Sequence, residues 1–278
     1  MKQRLLTAAV GLTILAIIFS LFNTIVLNIA VSVIIAIAIY ELLRASGVTN
    51  LPISCVTIVF GAAIPFFKTS LIDRYLPVVF FLFAVVLFTI LLKYHSEISA
   101  EKVGFIFFFT MAIAISTSCF VYVRDVFGKT IGFYAVVLSL GGSWLNDTGA
   151  YFGGMLFGKH KLAPVISPKK TVEGFVWGII VSILSQLALS RLFEIGCGFY
   201  GVTVEVNYVI MLIASPFIAL VSVLGDLSAS AMKRQFKIKD FGNIMPGHGG
   251  VLDRFDSALF AVPLVYILLT YFPLITVK

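Results

Sequence analysis

Charge is what this sequence has least of. Twenty Lys and Arg plus 13 Asp and Glu make up 12% of 278 residues, against about 25% in an ordinary soluble domain. With 60% hydrophobic residues and a mean hydropathy of +1.08, this excludes a soluble globular enzyme, a disordered chain and a coiled coil. An all-α, polytopic integral membrane protein remains. Cysteine is scarce too. Cys55, Cys119 and Cys197 lie far apart, at no spacing that suits a metal knuckle or a disulfide framework, and read as structural thiols. Internal repeats are lacking, as is the inverted pair of broken helices that marks many secondary transporters.

What is present is a series of long apolar runs. A bilayer core of about 30 Å takes roughly 20 apolar residues as a helix, and helices satisfy every backbone group within their own segment. Nine spans are expected: Leu5–Phe22, Ile25–Leu43, Leu51–Phe67, Tyr75–Lys93, Gly104–Val123, Ile131–Phe157, Gly174–Leu192, Tyr208–Met232 and Ala258–Thr276. Asn23 and Thr24 suggest a tight turn between the first two. The first run is too long for the apolar region of a signal peptide and has no Ala-x-Ala site after it, so it is expected to be a retained span.

With the N-terminus inside, 14 of the 20 Lys and Arg fall on the cytoplasmic side and 6 on the other. The bias supports a cytoplasmic N-terminus and an external C-terminus, and the inner membrane is the expected location. It also accounts for the net charge of +7 without a nucleic-acid partner. Both long polar loops, Lys159–Glu173 and Lys233–Arg254, then face the cytoplasm.

The chain divides functionally near residue 128. Residues 1–128 read as about five scaffold, lipid-facing or dimer-forming spans. Glu41 there lies near a helix end, where snorkelling covers it. Residues 129–278 carry about four spans and the polar, cytoplasm-facing site. Residues 144–174 and 226–256 hold 15 of the 33 charged residues.

A carboxylate within a span costs about 2.5–3.5 kcal/mol on insertion scales, so it demands a partner or a task. Asp147 lies in the sixth span, Asp226 toward the cytoplasmic end of the eighth, and Asp253 and Asp256 open the ninth on one helix face. Oxygen ligands with partly aqueous access suit Mg²⁺, while the scarcity of His and Cys, His248 apart, argues against zinc. The alternative is that Asp253 and Asp256 join Arg254 and nearby lysines in an interfacial salt-bridge cluster, with Asp147 bonded to Ser143.

In helical conformation Asp226, Ser230 and Lys233 share a face. Lys237, Lys239 and Asp240 follow, then Pro246-Gly-His-Gly-Gly250. These glycines open backbone conformations closed to other residues, and successive N–H groups there can cradle phosphate, with Lys and Arg adding charge-assisted contacts. The other loop offers Ser167-Pro-Lys-Lys-Thr171-x-Glu173-Gly174. Its lysines face either bound anions or lipid headgroups. Together these features describe a polyphosphate and its metal at the cytoplasmic membrane surface.

The stretch Ser230-x-Met-Lys-Arg234, Lys239-Asp240-x-Gly242, Pro246-x-His248-Gly-Gly-x-x-Asp253-Arg254-x-Asp256 resembles the signature of the phosphatidate cytidylyltransferases, or CDP-diacylglycerol synthases. The Ser167–Gly174 and Trp144-x-x-Asp147 blocks resemble the same family. Met245 stands where Leu, Ile or Phe is expected, a conservative change.

The resemblance implies a homodimeric, Mg²⁺-dependent membrane enzyme that joins CTP to phosphatidic acid, giving CDP-diacylglycerol and pyrophosphate. Its site would open to cytoplasm and to membrane lipids. On this reading Asp226, Asp253 and Asp256 hold one ion or a pair about 3.5–4 Å apart, and Asp147 helps orient them. Lys233, Arg234, Lys239 and the turn with His248, Gly249 and Gly250 take phosphates, alongside Ser230, Asp240 and Arg254. Ser167, Lys169, Lys170, Thr171 and Glu173 hold phosphatidic acid or the triphosphate. The rivals are a CTP-dependent enzyme acting on another lipid phosphate, an ion or lipid transporter, and a CDP-alcohol phosphotransferase, whose carboxylate spacing this chain lacks.

Overall fold

The computed structural model describes residues 2–48, 50–67, 69–245, 247 and 249–278, and for residues 2–6, 8 and 69–74 the backbone alone. The chain is mostly helical and forms two compact units. One comprises Met1–Val126 with Phe236–Arg254, the other Phe127–Gln235 with Phe255–Lys278.

The first unit holds α1 (Lys2–Ser20), α2 (Ile25–Ala45), α3 (Leu51–Ala63), α4 (Thr69–Lys93) and the first part of α5 (Ala100–Phe157). The expected turn at Asn23 and Thr24 is there, and the Thr24 side chain caps α2 by accepting from Val26 N at 3.2 Å. The guanidinium of Arg124 braces that turn. It donates to the carbonyls of Phe22 (3.3 Å) and Thr24 (2.9 Å) and to Asn28 Oδ1 (2.9 Å), and pairs with Asp125 at 2.7 Å. Asn50 caps α3, with Pro52 in its first turn, where a missing N–H costs nothing. Gly61 lets α3 approach α2 closely, since a Cβ there would run into Ile35 and Ile39.

Two helices meet within α5 at a kink inside residues 124–130, where the sequence reading places the connection between two spans. The kink is at Gly128, whose φ of 80° and ψ of 175° are not helical. Such values suit glycine because it has no Cβ to clash.

The second unit contains the rest of α5, a hairpin of β1 (Lys161–Ala163) and β2 (Ser167–Thr171), and then α6 (Val172–Phe199), β3 (Val204–Val206) and α7 (Tyr208–Gln235). After α8 (Leu252–Phe255), shared at the chain boundary between units, come α9 (Ala258–Tyr271) and β4 (Ile275–Val277). Small residues bring α5 and α6 together: a Cβ on Gly149 would meet Val181, one on Gly153 would meet Trp177, and one on Gly178 would meet Asn146. Helices in lipid associate largely through such close packing. Buried hydroxyls supplement it, with Tyr134 OH 2.7 Å from Ser190 Oγ and Ser143 Oγ 2.8 Å from Ser222 Oγ.

The short strands are additions to the all-α expectation. β1 and β2 pair antiparallel, as do β3 and β4, where Val204 faces Val277 and Val206 faces Ile275. The ninth span therefore ends earlier than expected, at Tyr271 rather than Thr276. Phe272 is extended, with φ −130° and ψ 139°, because the following Pro273 disfavours the helical conformation of its neighbour.

Among the described residues, five helical stretches are long and apolar enough to cross a membrane: Ile25–Ala45, Tyr75–Lys93, Ala100–Phe157, Val172–Phe199 and Tyr208–Gln235. Ala9–Ser20, Leu51–Phe66 and Ala258–Tyr271 are shorter apolar helices.

Candidate active site

In the second unit, four charged residues from separate elements converge. Asp147 comes from α5, Lys170 from β2, Asp226 from α7 and Asp256 from the turn before α9. The hairpin decides which lysine takes part. Lys169 is exposed, while Lys170 is half-buried and donates to the Asp226 carboxylate. Burial pulls the Lys170 ammonium below its usual pKa, the negative field of Asp147 and Asp256 opposes that shift, and Lys233 adds to it.

Asp256 is buried, and its Oδ1 accepts from Ser257 N at 2.7 Å. Ser257 Oγ stands between two carboxylates, 3.3 Å from Asp256 Oδ1 and 3.4 Å from Asp147 Oδ2. Gly225, next to Asp226, lets α7 reach this point, since a Cβ there would collide with the Asp256 carbonyl. Arg234 Nε donates to the Ile166 carbonyl at 3.1 Å and so ties the end of α7 to the hairpin.

Other residues expected at the site have local tasks. Thr171 caps α6, accepting from Gly174 N at 3.1 Å. Glu173 clamps the base of the hairpin, accepting from Lys159 N (3.0 Å) and His160 N (3.1 Å), with its other oxygen 2.6 Å from His160 Nδ1. Ser167 opens β2, and Ser230 and Lys233 are half-buried along α7.

In the first unit, the signature loop folds on carboxylates. Asp253 Oδ2 accepts from Phe241 N at 2.8 Å and Gly250 N at 3.0 Å. Glu41, from α2, accepts from Val251 N at 3.0 Å and Leu252 N at 2.9 Å. Met245 bridges to Gly249, and Gly247 and Gly249 have φ of 77° and 85°. The loop thus has the left-handed glycines expected of a phosphate cradle. However, the amides of Gly250, Val251 and Leu252 are directed to the protein's own carboxylates. Lys239, Asp240 and Arg254 are exposed. His248 and Pro246 lie outside the described residues.

Two findings depart from the sequence reading. Glu41 is not a snorkelling helix-end carboxylate but is only 1% exposed. Nothing local in the sequence marks it, because its partners lie about 210 residues away. Ser257 was likewise unmarked, although it directly follows Asp256 in the signature. Among the described residues, no three Asp, Glu, His or Cys side chains form a ready-made ligand set. The donors near Lys170 are nonetheless all oxygen, which is the chemistry of a hard cation such as Mg²⁺ rather than of zinc.

Comparison with known proteins shows the family. The model of the cytidylyltransferase family matches residues 2–272. The phosphatidate cytidylyltransferase of Bacillus subtilis (strain 168) is 36% identical over 285 aligned residues, covering 98% of each chain. That of Staphylococcus saprophyticus is 42% identical over 162 residues, 58% of each chain. That of Staphylococcus aureus (strain COL) is 49% identical over 126 residues, 45% of each chain. A match across nearly the whole length shows that this chain belongs to the cytidylyltransferase family.

Proposed function

We infer that the chain is a phosphatidate cytidylyltransferase of phospholipid biosynthesis. It transfers the cytidylyl group of CTP to phosphatidic acid, forming CDP-diacylglycerol and releasing pyrophosphate. Beyond family membership, the observation that carries this reading is the convergence of Asp147, Lys170, Asp226 and Asp256 in a chain with only 12% charged residues.

In the reaction, a phosphate oxygen of phosphatidic acid attacks the α-phosphorus of CTP. The bond from that phosphorus to the bridging oxygen of the β-phosphate breaks, and pyrophosphate leaves. Nucleophile and electrophile are both anionic, so the protein's work is positioning and neutralising charge. Asp147, Asp226 and Asp256 would hold Mg²⁺, which when bound supplies positive charge to the phosphates. Lys170, paired with Asp226, orients that carboxylate and offers its ammonium to a phosphate oxygen. Lys233 and Arg234 take further phosphate charge, and the exposed Lys169 guides anions toward the hairpin. In the signature loop, Lys239, Asp240, Arg254 and the glycines at 249 and 250 would contact CTP, while Asp253 shapes the loop.

The proposal includes nine membrane crossings, with the N-terminus and both polar loops in the cytoplasm. The distribution of Lys and Arg supports it. So does the kink at Gly128, which divides α5 into two stretches of more than 25 residues each, where about 20 suffice to cross a bilayer core. Membrane lipids are the expected neighbours of α4, which exposes Phe81, Leu82, Phe88 and Leu92. Assembly as a homodimer in the inner membrane rests on the family resemblance.

Supplying purified protein with labelled CTP and a panel of lipid phosphates tests the substrate assignment. Label should enter lipid with phosphatidic acid. Incorporation only with a polyprenyl or other non-glycerol phosphate would contradict the assignment.

A further inference from the structure

We propose that Glu41 is a positioning residue for the cytidylyl transfer, holding the signature loop in the shape that receives CTP. The inference rests on the proposed function and adds to it a residue outside the signature.

Glu41 lies on α2, a helix whose neighbouring side chains Ala38, Ile39, Leu42 and Leu43 are all buried and apolar. A carboxylate in such a place is costly unless its oxygens are bonded. Both oxygens are. One accepts from Val251 N at 3.0 Å and the other from Leu252 N at 2.9 Å.

The loop also closes around the carboxylate from two sides. A Cβ on Gly242 would run into Glu41 Oε1, and a Cβ on Gly250 would lie 2.5 Å from both carboxylate oxygens. Neither glycine has a positive φ. Room for the Glu41 carboxylate, rather than backbone strain, is therefore what a side chain at either position would violate.

The bonds from Glu41 adjoin those made by Asp253, whose Oδ2 takes the amides of Phe241 and Gly250. Four loop amides, at 241, 250, 251 and 252, thus converge on two carboxylates. One carboxylate belongs to the loop itself, and the other is supplied by the N-terminal helices. A glutamine at position 41 keeps the size but turns an NH₂ group toward a backbone N–H, so one of the two bonds is replaced by a donor facing a donor. The loop backbone must then shift.

The test is steady-state kinetics on the full-length protein in detergent micelles, with amide hydrogen exchange of residues 241–252 measured in parallel. Glu41→Gln should raise the KM for CTP about tenfold while the KM for phosphatidic acid and kcat stay within about threefold. General loosening of the fold would instead lower kcat and leave both KM values alone. Exchange across 241–252 should be faster in the variant. This readout requires no turnover, so it separates a failure of the loop assignment from a failure of the substrate assignment.

Gly242→Ala displaces the carboxylate without altering it and should show the same selective rise. Adding Glu41→Asp, one methylene shorter, should recover part of the loss and also keeps the test decisive if Glu41→Gln does not fold. The proposal is overturned if Glu41→Gln leaves the KM for CTP within about twofold of the wild type. It is equally overturned if Glu41→Asp gives no recovery in the Gly242→Ala background.

Discussion

Lys170 donates its ammonium to the carboxylate of Asp226, 56 residues further along the chain, joining the β1–β2 hairpin to α7. Lys169, its neighbour on the same strand, is exposed. Lys170→Met should therefore lower kcat/KM about 100-fold or more, the scale of losing a charge-stabilising donor at the reacting phosphate. Lys169→Met should cost less than about tenfold and weaken with added salt, as screened surface electrostatics do. Kinetics of both variants at two ionic strengths check the contrast.

The carboxylates should also separate. Asp226→Asn and Asp256→Asn are expected to shift the Mg²⁺ dependence of turnover to higher concentration as well as to reduce kcat. Asp253→Asn weakens an acceptor that serves two amides. It should cost about 1–3 kcal/mol of stability, seen in thermal unfolding, with less change in the Mg²⁺ dependence. Activity titrated with Mg²⁺ in each variant distinguishes the roles.

Removal of divalent cations with a chelator should abolish turnover. Added Mg²⁺ should restore it, and Zn²⁺ should not, because the groups around Lys170 offer oxygen donors only. The measurement is CDP-diacylglycerol formed after chelation and after each metal is returned.

Thr171 ends β2 and caps α6 through the Gly174 amide. Thr171→Ala should destabilise the protein by about 1 kcal/mol, the usual effect of losing a cap. Thr171→Ser should recover most of it. Thermal unfolding of the two variants is the check.

Much of this architecture was legible in the sequence because hydropathy reports directly on burial in lipid. The long apolar runs, the tight turn before α2 and the concentration of charge in two windows all follow from it. The fixed gaps of the signature pointed to the family without any geometry. What escaped depended on contacts between distant residues. Glu41 looked unexceptional because its partner amides at Val251 and Leu252 are remote in sequence. Lys169 and Lys170 read alike in sequence, and the ion pair of Lys170 with Asp226 is what tells them apart. The three-residue strands β3 and β4 were hidden because a short apolar run reads alike as strand or helix. The glycine loop reads in sequence as a phosphate cradle, and sequence alone did not reveal that two protein carboxylates occupy several of its amides.

The central claim is that this chain couples CTP cleavage to phosphatidic acid. The most direct test is pyrophosphate release from CTP by the purified protein with Mg²⁺, in the presence and absence of phosphatidic acid. The account predicts release only with the lipid, one pyrophosphate for each CDP-diacylglycerol formed. Equal release without phosphatidic acid, or none with it, would contradict the claim.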